Sequence, residues 1–414
     1  MIDTPVNAAY IHIPFCHRRC FYCDFPVKVI GDQRHGGNFP LIDRYLVQLK
    51  REIEATPQGT TPLETVFFGG GTPSLLTVPQ VQMVLQTLEQ HFGFASSLEI
   101  SLEIDPGTFD RSQLEGYAAV GVNRFSLGVQ AFQEHHLQAV GRSHDLSDVY
   151  QAIDYLHQGG VQNWSLDLIS GLPHQTLSEW ELSLQQAIEA NPPHLSLYDL
   201  VIEPQTVFGK RFSPGCAPLP PDDLAATFYR LSQHHLTAAG YTHYEVSNYA
   251  KPGFHCRHNR VYWENRPYYG FGMGATSYVN QRRIARPRIL VDYEDWVERW
   301  VQTGDRFWES YALDDRSDRW LDTLMLGLRL REGVDLNDLA QRWGEDPAPS
   351  EQLADLLTLL EPYHTQGWIT RETIAGQPYP RLQLTDPEGF LFSNQVLATI
   401  FTQPLEPNRK TDTP

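Results

Sequence analysis

Cys16-His17-Arg18-Arg19-Cys20-Phe21-Tyr22-Cys23 gathers three of the chain's five cysteines into eight residues, spaced C-x3-C-x2-C. The stretch follows an apolar run, Ala8–Ile13, that reads as a buried strand. A strand running straight into a cysteine loop suggests a cofactor at one mouth of a β/α barrel. Thiolates in this number hold zinc or iron–sulfur. Structural zinc takes four protein ligands, often as paired cysteines. No second pair exists, because Cys216 and Cys256 stand alone. Three thiolates suit a [4Fe-4S] cluster with one iron open to an exchangeable ligand.

The 414 residues leave room for one large domain and a smaller one, and the 41% apolar fraction is ample for a core. The net charge of −18, from 50 acidic against 32 basic residues, repels phosphate backbones and argues against nucleic acid as a partner. No apolar run has the length of a membrane span, and peripheral membrane contact stays open. Met1-Ile2-Asp3-Thr4-Pro5 lacks the basic flank and apolar core of a secretory signal. Five cysteines, three of them clustered, fit a reducing cytoplasm and not a disulfide framework.

Strand and helix signals alternate from the N-terminus. Ala8–Ile13, Thr65–Phe68, Leu98–Ile104, Arg124–Val129, Trp164–Ile169 and His194–Leu200 read as strands. Leu41–Ile53, Pro79–Phe92 (with Thr77 to start it), Ser112–Val120, Ser147–His157, Ser178–Ala190 and Asp222–Ala239 read as helices. The predicted fold class is α/β, a partial (β/α)6 barrel over residues 1–240, with Pro26–Pro40 as a mobile loop beside the cysteines. Residues 241–314 form an aromatic-rich segment closing the open side. Tyr241–Trp308 holds 15 aromatics in 68 residues, which serve either as packing or as a surface for a flat apolar ligand. Residues 315–403 read as three helices (Arg319–Arg329, Leu336–Trp343, Glu351–Gln366), a hairpin (Trp368–Thr373 with Arg381–Thr385) and a last helix, Phe390–Phe401. That is a winged-helix-like, largely helical domain. Its 14 acidic residues, 7 Arg and no Lys reject DNA and leave packing or a protein partner. Residues 404–414 read as a flexible tail.

Gly69-Gly70-Gly71-Thr72-Pro73 follows the second strand, where glycines let a ligand approach backbone N–H and C=O groups. Glu103, Gln130 and Asp167 sit at or near later strand ends, where a barrel presents its active mouth. An internal ion pair, for example with Arg142, is the competing reading.

The cysteine spacing, with Tyr22 before the last cysteine, resembles the radical S-adenosyl-L-methionine (AdoMet) superfamily. In that family the open iron binds AdoMet, and the reduced cluster, fed by an electron donor, cleaves it to a 5′-deoxyadenosyl radical. Tyr10, Gly69–Pro73, Glu103–Pro106, Gln130, Gly141-Arg142-Ser143-His144 and Asp167 together resemble one branch of it. That branch holds the oxygen-independent coproporphyrinogen III dehydrogenases of porphyrin biosynthesis and the HemW group of heme chaperones. The resemblance runs from about Tyr10 to Phe401. It implies Cys16, Cys20 and Cys23 as cluster ligands and Tyr10, Gly70 and Glu103 against the bound AdoMet. It also implies Tyr22, Gly71, Thr72, Gln130, Arg142 and Asp167 around a second AdoMet position, with Val201 a weaker transfer. No residue is assigned a catalytic role.

Two departures separate the two groups. The dehydrogenase pattern has a fourth cysteine where Phe25 stands. Fifteen residues precede Cys16, too few for the dehydrogenases' N-terminal arm. Cys256–Trp263 resembles the H-N-x-x-Y-W motif of the HemW group, which implies His258 as a heme ligand with Cys256 and His255 as poorer alternatives. The reading is therefore a radical AdoMet protein that binds heme and delivers it to an acceptor protein. The alternatives are coproporphyrinogen III decarboxylation, a radical methyltransferase, and a structural iron–sulfur protein.

Overall fold

A computed structural model describes residues 5–31, 39–304, 306–342 and 349–402. Much of the Pro26–Pro40 loop, Gly36 and Gly37 included, and the 404–414 tail lie outside the described residues. Two compact units emerge. One comprises the chain up to Tyr241 with Tyr249–Val261 and Arg266–Leu313, and the other Thr242–Asn248, Tyr262–Asn265 and the chain from Asp314 onward. The aromatic segment 241–314 is thus shared between the units.

The first unit is a partial barrel. Its strands are β1 (Ala8–Ile13), β2 (Leu63–Gly70), β3 (Phe94–Ile104), β4 (Arg124–Gln130), β5 (Trp164–Ser170), β6 (His194–Asp199) and β7 (Tyr269–Phe271). They neighbour one another in the order β7-β1-β2-β3-β4-β5-β6, every pair parallel. Helices α1 (Pro40–Ala55), α2 (Val78–Phe92), α3 (Arg111–Ala119), α4 (Leu146–Gln158), α5 (Leu177–Glu189) and α6 (Asp222–Ala238) alternate with β1–β6. Strands covered by helices lose the alternating pattern and read as apolar runs. Ile11, Ile13, Val66, Phe68, Leu127 and Leu166 are all fully buried. Helix starts follow local chemistry: Thr77 and Thr176 build capping boxes with Gln80 and Glu179. The six expected βα units are present. β7 escapes the sequence because three residues are too few to show a period.

A buried ion pair ties β7 to its surroundings. Glu52 on α1 accepts from Arg286 Nε at 2.7 Å, from the Gly272 N–H at 2.9 Å and from the Tyr293 hydroxyl at 2.7 Å. Tyr293 opens α7 (Leu290–Thr303), and the Arg286 guanidinium lies 5.1 Å from the centre of the Trp296 ring. Trp296, Trp300 and Trp308 are buried. In this part of the aromatic segment the rings are therefore packing and not a ligand surface.

In the second unit, α8 (Arg316–Gly327), α9 (Leu336–Arg342) and α10 (Pro349–Leu359) accompany a three-stranded antiparallel sheet. Its strands are Val334–Asp335, Arg381–Leu384 and Ile369–Glu372 in that order. The helix expected over Glu351–Gln366 breaks at Leu360, and a short helix Glu361–Thr365 restarts with Pro362 in its first turn, where a missing N–H costs nothing. The last helix divides likewise into Glu388–Leu391 and Ser393–Thr402. Among the described residues no helix is long and apolar enough to cross a membrane.

Arg286→Ala should lower the unfolding free energy by about 3–5 kcal/mol, the cost of leaving a buried carboxylate without its cation. The shift in denaturant midpoint measures it. A loss under about 1 kcal/mol would show that Tyr293 and Gly272 suffice to hold Glu52.

Candidate functional site

β1 ends on the cysteine loop. Phe15–Cys16 pairs in parallel with Lys28–Val29, and the loop between them is fixed by bonds that spare the sulfurs. The Phe21 N–H reaches Val140 O at 3.0 Å, and the Ile30 N–H reaches Cys16 O at 2.9 Å. His12 Nε2 faces Pro26 O at 3.0 Å, so it carries the proton, and Nδ1 accepts from the Tyr10 hydroxyl at 3.0 Å. Burial lowers His12 to about 4, against the pull of the Pro26 bond, so the ring is neutral.

Cys16, Cys20 and Cys23 all line a cavity of about 660 Å³ at the C-terminal ends of the strands. Thr72 Oγ1 lies 3.6 Å from Cys16 Sγ, and Arg142 Nη1 donates to Cys20 Sγ at 3.4 Å. Burial pushes Cys16 up to about 12 and raises Cys23. Cys216 is exposed and Cys256 buried, and neither lines this cavity.

The glycine run lies beside the cysteine loop. Gly70 has φ +112°, and a Cβ there would stand 2.5 Å from the His12 ring. A Cβ on Gly71 would meet Phe15 O at 2.6 Å and Cys16 Sγ at 3.0 Å. Glu103 accepts from the Gly70 N–H at 3.0 Å. Burial, then the neighbouring Asp167, raises Glu103 to about 8. A carboxyl in that state favours a cationic partner. Tyr10 contacts His12, and burial, then the Glu103 charge, raises its hydroxyl well above the usual range, yet it does not line the cavity.

Gln130 reaches the cavity through a bulge. Leu127 pairs with Leu166 but Gln130 with Leu168, so β4 spends an extra residue there, and Gln130 takes φ +70°. Arg142 binds Asp105 and donates to Gly128 O at 3.2 Å. The ion pair weighed for the carboxylates Glu103 and Asp167 therefore belongs to Asp105. Burial would raise Asp105, but Arg142 and His144 outweigh it and hold it below the usual carboxylate range. Asp167 accepts from Ser126 Oγ at 2.9 Å and is raised by burial. Asp105 and His144 were missed as site residues, although each completes a motif already singled out: Asp105 in Glu103–Pro106 and His144 in Gly141–His144. Tyr22, Thr72 and Val201 line the same cavity, Val201 at its rim with 63% exposure.

His258 is elsewhere. Its Nδ1 lies 2.9 Å from Thr65 Oγ1 near the start of β2, its ring stacks on Phe67, and its N–H donates to Glu99 at 3.1 Å. At 1% exposure it presents no face to a macrocycle, so the expected heme contact does not fit this arrangement.

The Radical SAM superfamily pattern matches residues 10–187, and the HemN C-terminal domain matches residues 314–373. The chain is 45% identical to the heme chaperone HemW of Synechocystis sp., over 95% of this chain and 96% of that one. The chain belongs to the HemW family. The heme chaperone HemW of Escherichia coli is 41% identical over 81% of this chain and 85% of its own length. The structure of E. coli coproporphyrinogen III oxidase HemN superposes with a TM-score of 0.77, covering 96% of this chain and 91% of that one at 23% identity, which speaks for the shared fold alone.

Radical SAM membership implies a [4Fe-4S] cluster and AdoMet, and the donor set of this HemW-family chain fits them. Buried thiols with raised proton affinity become ligands when metal cations supply the compensating charge. The glycines at positions 70 and 71 let the turn after β2 pack directly against the cysteine loop, and Gly70 and Gly71 line the same cavity as the thiols.

Burial lowers His258 to about 3. The unfolded chain protonates this ring near pH 6.5, so its neutral form contributes stability above that pH, lost as pH falls from 6.5 toward 3. Between pH 7 and pH 5 the loss should be roughly 2 kcal/mol. His258→Gln should flatten that part of the pH–stability curve, read from urea midpoints. Equal acid sensitivity in both proteins would contradict the assignment.

Proposed function

We propose that this chain holds a [4Fe-4S] cluster through Cys16, Cys20 and Cys23, binds AdoMet beside it, and binds heme for delivery to an acceptor protein. The observation that carries this reading is the near full-length 45% identity to a heme chaperone HemW. The cluster and AdoMet would supply one-electron chemistry. The chain's own residues do the rest. The Gly70–Gly71 backbone gives a ligand close approach, and Glu103 receives a cationic group. Arg142 steadies the Cys20 sulfur while Asp105 and His144 fix its guanidinium. Gln130 and Asp167 offer polar contacts on the far wall, the side where a second AdoMet position would fall.

Heme is assigned to the rim of the cavity. Phe25, Tyr198 and Val201 are 60%, 44% and 63% exposed there, an apolar grouping beside the cations Arg19 and Arg288. Flat apolar rings with acidic edges match such a surface. Phe25 occupies the place of the dehydrogenases' fourth cysteine, which favours transport over decarboxylation.

Anaerobic reconstitution should load about four irons per chain. Cys16→Ala, Cys20→Ala and Cys23→Ala should each abolish this, whereas Cys216→Ala should not. AdoMet should alter the reduced cluster's paramagnetic resonance spectrum, and Glu103→Ala should weaken the change. The loaded protein should bind heme and pass it to an apo acceptor without converting coproporphyrinogen III. Phe25→Asp with Arg288→Glu should weaken heme binding about tenfold or more and spare the cluster. Catalytic release of carbon dioxide would replace the chaperone reading with the enzyme one. Unchanged heme binding in the double variant would move heme away from the rim.

A further inference from the structure

The short helix Glu134–Ala139 and the first turn of α5 bring His135, His136 and Glu179 together. None of the three lines the cysteine cavity. One ligating atom of each lies within 4.8 Å of the others. Glu179 Oε1 is 3.0 Å from His135 Nε2, and Oε2 is 3.5 Å from His136 Nε2. Ligands about 2 Å from a tetrahedral zinc stand roughly 3.3 Å apart. The two His–Glu separations, one to each carboxylate oxygen, are already near that spacing, and the two imidazoles offer ligand atoms within 4.8 Å of each other.

His136 distinguishes this group from a surface ion pair. Its side chain is 0% exposed, and neither ring nitrogen makes a hydrogen bond among the described residues. The 3.5 Å approach to Glu179 lacks hydrogen-bond geometry. Leaving a buried polar group unsatisfied is costly, and such groups ask for a partner, ions included. Burial also lowers the proton affinity of His136, which keeps the ring in the neutral form that metals bind. His135, with 62% of its side chain exposed, opens the group to solvent. The Glu179 carboxylate is oriented from behind by Thr176, whose hydroxyl and N–H donate to Oε2 at 2.7 and 2.8 Å. A further imidazole, His174, is close enough to repel a charge on His136.

We propose that His135, His136 and Glu179 bind a divalent transition-metal ion, with His174 or water completing the coordination. Two imidazoles and one carboxylate select zinc, nickel or copper over the oxygen-seeking magnesium and calcium. The site would clamp the short helix to α5. That helix leads into Val140, whose carbonyl holds the Phe21 N–H of the cysteine loop.

The test uses the full chain with its cluster reconstituted, so that the thiolates are occupied, dialysed against buffered zinc and assayed for bound metal and melting temperature. The wild type should bind zinc and melt higher with it. His135→Ala and Glu179→Gln should each weaken zinc binding about tenfold or more. His136→Phe, which fills the same buried space, should remove both the metal and the melting shift. His135→Ala keeps the test intact if the buried substitution fails to fold, because its side chain is largely exposed. Zinc bound equally by the wild type and the His135→Ala and Glu179→Gln variants, or no zinc bound at micromolar free metal, would overturn the proposal.

Discussion

No side chain fits where the Gly70–Gly71 backbone crosses the end of β1. The Gly71 N–H bonds Ile13 O at 2.8 Å, and a methyl group on either glycine would collide with the His12 ring or the Phe15 carbonyl. At Gly71 the contact is backbone against backbone, so rotamer changes cannot loosen it. It sets the distance between the cysteine loop and the turn after β2, and through the Gly70 N–H it sets Glu103 as well. The rest of the cavity is arranged around a spacing that only glycine permits.

The two sides of that cavity differ in charge economy. Glu103 and Asp167 are half-buried carboxyls on the cavity wall whose proton affinity is raised, the first partly by the second. Arg142 spends its two terminal nitrogens on Asp105, Gly128 and Cys20. A positive group entering beside Glu103 would relieve a strain that burial creates, whereas Arg142 serves to position its neighbours. Asp105 is the less conspicuous partner, because without it the guanidinium would lose its fixed aim at the cysteine sulfur.

Much of this was legible in the sequence because it is periodic or clustered. Six strands, six helices and the cysteine loop follow from alternation, capping residues and spacing, and their observed bounds differ by a few residues. What stayed hidden is set by long-range contact. β7 is three residues whose pairing with β1 rests on a Glu52–Arg286 bond spanning most of the unit. The bulge that aims Gln130 is a register shift between strands, and no local pattern records it. His258 shows the opposite case: its motif was visible, but only the packing of Thr65 and Phe67 against it shows that the ring is buried.

The bonds that hold the cysteine loop have a bearing on the order of assembly. The anchors from Val140, Pro26 and the Cys16 carbonyl involve no sulfur, so they constrain the loop independently of what its thiols bind. Small metal domains that fold around their ion draw on its binding energy to organise the chain. In this chain backbone hydrogen bonds and the parallel pairing of Phe15–Cys16 with Lys28–Val29 already fix part of the loop's course.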